Sequence, residues 1–375
     1  MSEVIIFCES FLQVKNALYL VTKNYKEHPV TLVISGHEDL LKLFHVVNEK
    51  AFVNAVNIVH VKAYPARMAR TTSLIIKALY LLPDIASEKR YLRNIYEKHL
   101  AFLSGNDVYF FDRCFNPITF YFLKKLSKAN RITFMPDSSY DVIQRLKSYP
   151  RNIKELAVFL SYKLIYGYDL TMIKYPYLRG IPTIPDRFFR DNVTKIIDKE
   201  ESGILLQDFD TGQFKIMDTD EYRVMYFDTD LVNSAYISDS DAVLKVLNGV
   251  FNSLSKFFPE ETVALKYHPD YQGDKNLIKF GHVLPDYIPG EFLYDPGIVM
   301  YFGFYSMALS NVKTGLTVSL IDLVNFDRNE TREQIKSELI QLSCTDILFP
   351  QSLDEFEGIL AETKEKQSEA RHDLI

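Results

Sequence analysis

Two short stretches carry residues suited to chemistry on a phosphate. They are LKYHPDYQG, Leu265–Gly273, and YFGFYSMALSN, Tyr301–Asn311. In the first, His268 follows an apolar run and precedes Pro269. Proline fixes its own φ and biases the residue before it to extended geometry. A histidine braced in this way has few conformations to lose. Near neutral pH it can give a hydrogen bond or a proton to a phosphate. It also reads as a strand-end histidine satisfied by a backbone carbonyl. In the second stretch, Gly303 ends a predicted strand and Ser306 is placed to cap a helix. The first turn of a helix presents free N–H groups and a partial positive charge, which suits phosphate. The plainer alternative is an ordinary N-cap. Glu291, in IPGEFLY, opens a predicted short helix after Pro289, where it can accept hydrogen bonds from ribose hydroxyls or simply complement the helix dipole. Asp137, in FMPDSSYD, follows another predicted strand. A carboxylate there can take a proton from a hydroxyl, or act as a turn cap beside Ser138, Ser139 and Asp141. Lys266 and Arg113 are further cleft candidates, as ligand contacts or as solvated side chains.

The elements around these residues alternate. Apolar runs at 3–10, 29–36, 55–61, 107–113 and 131–137 predict five strands. Helical spacing is present at 11–25, 37–50, 73–82, 91–103 and 117–128, with Ser10 as a candidate cap and Pro117 in a first turn. Strands separated by helices predict a parallel, doubly wound sheet, with ligands beyond the carboxyl ends of the strands. A second series begins at 223. It has strands at 223–230, 262–269, 298–303, 316–324 and 346–350, and helices at 241–258, at 289–296 and from Ser306. The expected organisation is therefore α/β with two Rossmann-like halves, 1–195 and 222–350. A charged helical tail over 351–375 can cross back onto the first half.

Composition narrows the function. The 375 residues suit two domains, with 47% hydrophobic and 25% charged residues. Three well-separated cysteines, Cys8, Cys114 and Cys344, form no disulfide framework or metal-ligand cluster and point to a reducing compartment. MSEVIIFCES reads as a first strand rather than a signal peptide, and no apolar run reaches eighteen residues. A cytoplasmic location is expected. The net charge is −6 but unevenly spread. Arg113–Arg190 holds fourteen Lys/Arg against five Asp/Glu, while Glu201–Asp239 holds nine acidic residues against two basic. These read as two solvated faces, or as a basic face for an anionic substrate or membrane. Overall acidity and the lack of a recognition motif argue against nucleic acid. GxGxxG and P-loop motifs are absent, which argues against dehydrogenases and kinases.

The order of these motifs resembles bacterial sialyltransferases of the GT-B type, namely glycosyltransferase family 52 and the related polysialyl- and Kdo-transferases. An acidic strand end comes first, then K-x-H-P, then P-x-E followed by two hydrophobic residues, then G-x-x-S-x-A-L. CESFLQVKNAL is similar to their first strand, small-residue turn and following helix, which places Gln13 and Asn16. The likeness spans most of the chain in order and spacing. It implies two Rossmann-like domains facing a cleft. It also implies Asp137 as general base, His268 on the nucleotide phosphate assisting the leaving group, Ser306 on the same phosphate and Glu291 on the ribose. Two features depart from the family pattern. PDSS lacks the second acid and the glycine, and YSMA has one serine where the family often has two adjacent hydroxyls.

The resemblance implies inverting transfer of an acidic sugar from a CMP donor to an oligosaccharide or glycolipid acceptor. No cofactor or metal is expected, since a nucleoside monophosphate leaving group needs less charge neutralisation than a diphosphate. The sequence also offers no histidine cluster that would hold one. The basic aromatic region 151–190 is compatible with docking on the inner membrane. Two other readings stay open: a UDP-sugar enzyme or epimerase of the same architecture, and a degenerate module that binds glycan without catalysis. The oligomeric state is not legible.

Overall fold

The structure is a computed structural model. It describes residues 3–36, 38–52, 56–62, 64–65, 74–111, 117–135, 160–161, 164–166, 193–197, 209, 211, 214–229, 236–267 and 278–372. The chain divides into two compact units, Met1–Phe209 and Asp210–Ile375.

The first unit is built on β1 (Val4–Cys8), β2 (Val30–Ser35), β3 (Asn57–Val61), β4 (Asp107–Phe111), β5 (Arg131–Met135) and β6 (Lys195–Ile196). All pairings are parallel, in the order β3-β2-β1-β4-β5-β6. Every residue of β1 and β2 is buried. This explains why their sequences, VIIFC and VTLVIS, are almost unbroken apolar runs: parallel strands are covered on both faces. The helices are α1 (Leu12–Tyr19), α2 (Glu38–Lys50), α3 (Leu74–His99) and α4 (Pro117–Leu126). A π-helical turn, Leu20–Asn24, continues α1. α3 corrects the expectation of two helices at 73–82 and 91–103. It runs unbroken for 26 residues with Pro83 inside it, and Ile85, within the segment between the two expected helices, is buried like Leu92 beyond it.

The second unit has β7 (Val224–Phe227), β8 (Val263–Lys266), β9 (His282–Val283), β10 (Met300–Gly303), β11 (Leu316–Ser319) and β12 (Ile347–Leu348). These strands too are all parallel, ordered β12-β11-β10-β7-β8-β9. The helices are α5 (Ser240–Ser255), α6 (Asn329–Leu342) and α7 (Leu353–His372). Asp239 caps α5, its carboxylate accepting the Ala242 N–H at 2.9 Å. Aromatic side chains dominate this core, where Tyr226, Phe251, Phe302 and Phe356 pack at centroid distances of 5.1–6.0 Å. The tail was expected to cross onto the first half. Instead, Phe356 and Leu360 of α7 lie in this core, and Glu357 bonds Ser253 at 2.7 Å and Lys256 at 2.5 Å on α5.

Numbered within its own unit, each sheet reads 3-2-1-4-5-6. That is the doubly wound Rossmann order. The fold class is thus the expected one, α/β with two Rossmann-like domains. In such a sheet the chain reverses direction between the first and fourth strands, and ligands bind beyond their carboxyl ends. The two switch points are β1/β4 and β7/β10.

Candidate functional site

At the β7/β10 switch point the strands are in register, Phe227 opposite Gly303. A Cβ on Gly303 would lie 2.4 Å from the Phe227 carbonyl oxygen. Glycine is therefore required by the close approach of the two strands. Beyond it, the loop is pinned from β11: Leu320 N–H donates to Gly303 O at 2.8 Å, and the buried Ser319 hydroxyl donates to Phe304 O. Ser306 follows and caps a 3-10 helix, Met307–Asn311, with Oγ accepting the Ala308 N–H at 3.3 Å. The expected helix opening at Ser306 is thus a five-residue 3-10 helix, whose dipole is correspondingly small. The helix expected at 289–296 is likewise a single 3-10 turn, Gly290–Phe292. Pro296 cannot continue a helix and biases Asp295 to extended geometry, so the segment has room for little more than one turn.

Glu291 sits on that turn, half-buried. A Cβ on Gly290 would be 2.9 Å from Ala308 Cβ and 3.0 Å from the Phe227 ring. That contact sets the Glu291 turn against the Ser306 turn. Tyr294 reinforces it by donating to Ala308 O at 2.6 Å, and the Phe227, Tyr294 and Tyr301 rings pack behind. The Glu291 backbone carbonyl accepts the Thr211 hydroxyl. Its carboxylate has no hydrogen bond or ion pair among the described residues.

Lys266 ends β8 and is 3% exposed. Its ammonium donates to the carbonyls of Tyr267 and, at 3.3 Å, Asp286. Of the sequence-derived candidates, Gly303, Ser306 and Glu291 are therefore brought together, with Lys266 on the next strand but one from β10. Gln13 and Asn16 belong to the first unit, buried on α1 beside the β1/β4 switch point. Gln13 Oε1 accepts the Glu9 N–H at 2.6 Å, and the buried Thr119 hydroxyl of α4 donates to the Glu9 carboxylate. Asp137, Arg113 and His268 lie outside the described residues. Cys8, at the end of β1, is no nucleophile: burial, reinforced by the Glu9 charge, pushes its thiol well above the ordinary range.

Sequence reasoning missed two residues after β7. Asp228 is buried, its carboxylate accepting the Tyr226 hydroxyl at 2.9 Å and its N–H donating to Lys266 O at 2.9 Å. Thr229 comes next, with a shielded hydroxyl that has no partner. The available signal was FDTD at the end of an apolar run. No group of His, Cys, Asp and Glu among the described residues is arranged to hold a metal ion. No described helix is long and apolar enough to cross a membrane.

No family model matches the chain, and no curated protein does. Solved structures similar to it include the glycotransferase of kitacinnamycin, at 11% identity and TM-score 0.43, covering 97% of this chain and 90% of that one. Another is Arabidopsis thaliana UGT89C1 complexed with UDP-L-rhamnose, at 11% identity and TM-score 0.42, covering 99% and 94%. A third is TcCGT1 in complex with UDP, at 13% identity and TM-score 0.44, covering 98% and 93%. Likeness at this level bears on neither donor nor acceptor.

Proposed function

We propose that the protein is an inverting glycosyltransferase. In this reading it moves an acidic sugar (sialic acid, a related nonulosonic acid or Kdo) from a CMP donor to an oligosaccharide or glycolipid acceptor of the cell surface. The order of motifs in the sequence supports the donor class. The observation that carries the reading is the grouping of Gly303, Ser306 and Glu291 at the β7/β10 switch point, held there by Gly290 between Phe227 and Ala308. These are the positions the resemblance gives to phosphate and ribose.

The second unit takes the donor and the first the acceptor. As CMP leaves, negative charge grows on its phosphate. His268 and the Ser306 hydroxyl stabilise that charge more in the transition state than in the ground state. Asp137 takes the proton of the acceptor hydroxyl. The enzyme works in the cytoplasm, and the 151–190 region brings it to lipid-linked acceptors at the inner membrane.

A thermal-shift screen across CMP, CDP, UDP and GDP tests the donor. CMP at 100 times its Kd is expected to stabilise by about 2.7 kcal/mol. Stabilisation by UDP and not CMP would transfer the reading to UDP-sugars, and silence for all four would leave a non-catalytic module. His268→Ala is expected to lower turnover about a hundredfold or more. Full activity in that variant would remove the mechanism.

A further inference from the structure

Among the described residues, four shielded polar side-chain atoms have no hydrogen-bond partner: Ser10 Oγ, His60 Nε2, Thr229 Oγ1 and Asp322 Oδ1. Asp322 is accounted for through its other oxygen, which accepts from Lys336 at 2.6 Å. His60 lies on the edge strand β3. The two hydroxyls are different in kind, because they occupy the same place in the two units. Ser10 is the second residue past the end of β1, and Thr229 the second past the end of β7. Each follows the central strand at its sheet's switch point. Shielded polar groups in a folded protein are nearly always paired, so an orphan calls for a specific explanation. Two orphans in equivalent positions, where ligands bind to such sheets, share one.

The Thr229 hydroxyl is also presented from a fixed backbone. Asp228, just before it, is tied to the sheet by its N–H to Lys266 O and by its carboxylate to Tyr226. The loop that follows Gly303 leaves the sheet beside it, because Phe227 and Gly303 are in register. That second loop carries Ser306. We infer that Thr229 Oγ1, which has no hydrogen-bond partner within the chain, donates a hydrogen bond to the phosphate of a bound nucleotide, alongside the Ser306 loop. The inference rests on the donor reading above and adds to it a residue that the motifs do not contain.

Thr229→Val removes the hydroxyl and keeps the shape, and Thr229→Ser keeps the hydroxyl. In the full chain, calorimetry with CMP is expected to show affinity about 10- to 100-fold weaker for Thr229→Val, the value of a hydrogen bond to a charged group. Thr229→Ser is expected to hold wild-type affinity. The nucleotide-free protein gives the second measurement. A shielded hydroxyl without a partner destabilises, so Thr229→Val is expected to raise Tm by about 2–4 °C. Wild-type protein that binds CMP while Thr229→Val binds it equally well overturns the inference and leaves the donor reading intact. Wild-type protein that takes UDP instead, with the same loss in Thr229→Val, keeps the inference and replaces the donor. Binding of neither nucleotide ends both, and a lowered Tm for nucleotide-free Thr229→Val ends the inference alone.

Discussion

Gly303 shows how one residue serves both sheet and site. Its φ is ordinary for a strand, so its role is one of space: the Phe227 carbonyl lies 2.4 Å from where a Cβ would be. Any side chain must push β10 away from β7 or twist the Gly303 end of the strand. Overpacking of this kind costs about 1–3 kcal/mol. Gly303→Ala is therefore expected to lower the unfolding free energy by that amount, read as a lower urea midpoint at unchanged slope, and to weaken nucleotide binding with it, since the Ser306 loop leaves the sheet there. A midpoint unchanged by the substitution would mean that the strands part without cost. This glycine was legible because it interrupts an apolar run just before a serine and a helix-forming segment. Thr229 was not. In FDTD it stands between two acids and looks like any polar turn, and only the pairing of strands shows what its hydroxyl lacks.

At the scale of elements, the buried strands were legible because parallel strands covered on both faces have no reason to alternate. VIIFC, VMYF and MYFG carry almost no polar residues. The short turns were not. GEF and MALSN are too short for a helical period to declare itself, and each is set by Gly290 meeting Ala308 across the fold rather than by its own propensities. α6 went unassigned because its sequence, NETREQIKSELIQL, is polar and buries Leu339 alone. The tail was read as charged and helical, which it is, but its partner could not be seen. The decisive residues are few: Phe356 and Leu360 in the core, and Leu353 against Gly249 on α5. Phe356 is fully buried, 6.0 Å from the Phe302 ring. Phe356→Ala is expected to destabilise the second unit by about 3–5 kcal/mol in denaturant melts. A loss under about 0.5 kcal/mol, the scale of a surface change, would show that α7 is only a covering.

Over the whole molecule the absence of tryptophan and the abundance of tyrosine have a thermodynamic consequence. The sequence contains 24 tyrosines and 27 phenylalanines, so phenols do work in both cores that aliphatic side chains do elsewhere. In the first unit Tyr109 of β4 is buried with its hydroxyl 2.7 Å from that of Tyr25. In the second, Tyr301 of β10 is buried with its hydroxyl on the Asp295 backbone, donating to the carbonyl at 3.0 Å and accepting the N–H at 2.7 Å. Burial raises both phenols well above their ordinary value, and for Tyr109 the bond to Tyr25 raises it further. Unfolded, each ionises at about pH 10. Above that pH the unfolded chain has released protons that the folded chain still holds, so stability falls as pH rises. The contribution is complete below about pH 10 and declines by about 1.4 kcal/mol per pH unit for each protected phenol. Urea midpoints measured from pH 8 to 11 are thus expected to be flat at first and then to fall steeply. Phenolate absorbance at the highest pH should remain below that of the denatured chain until unfolding. Tyr109→Phe and Tyr301→Phe each remove one ionisation and should each make the decline shallower. A decline unaltered by both variants would place the alkaline sensitivity in other groups and leave these two phenols without the protection their burial implies.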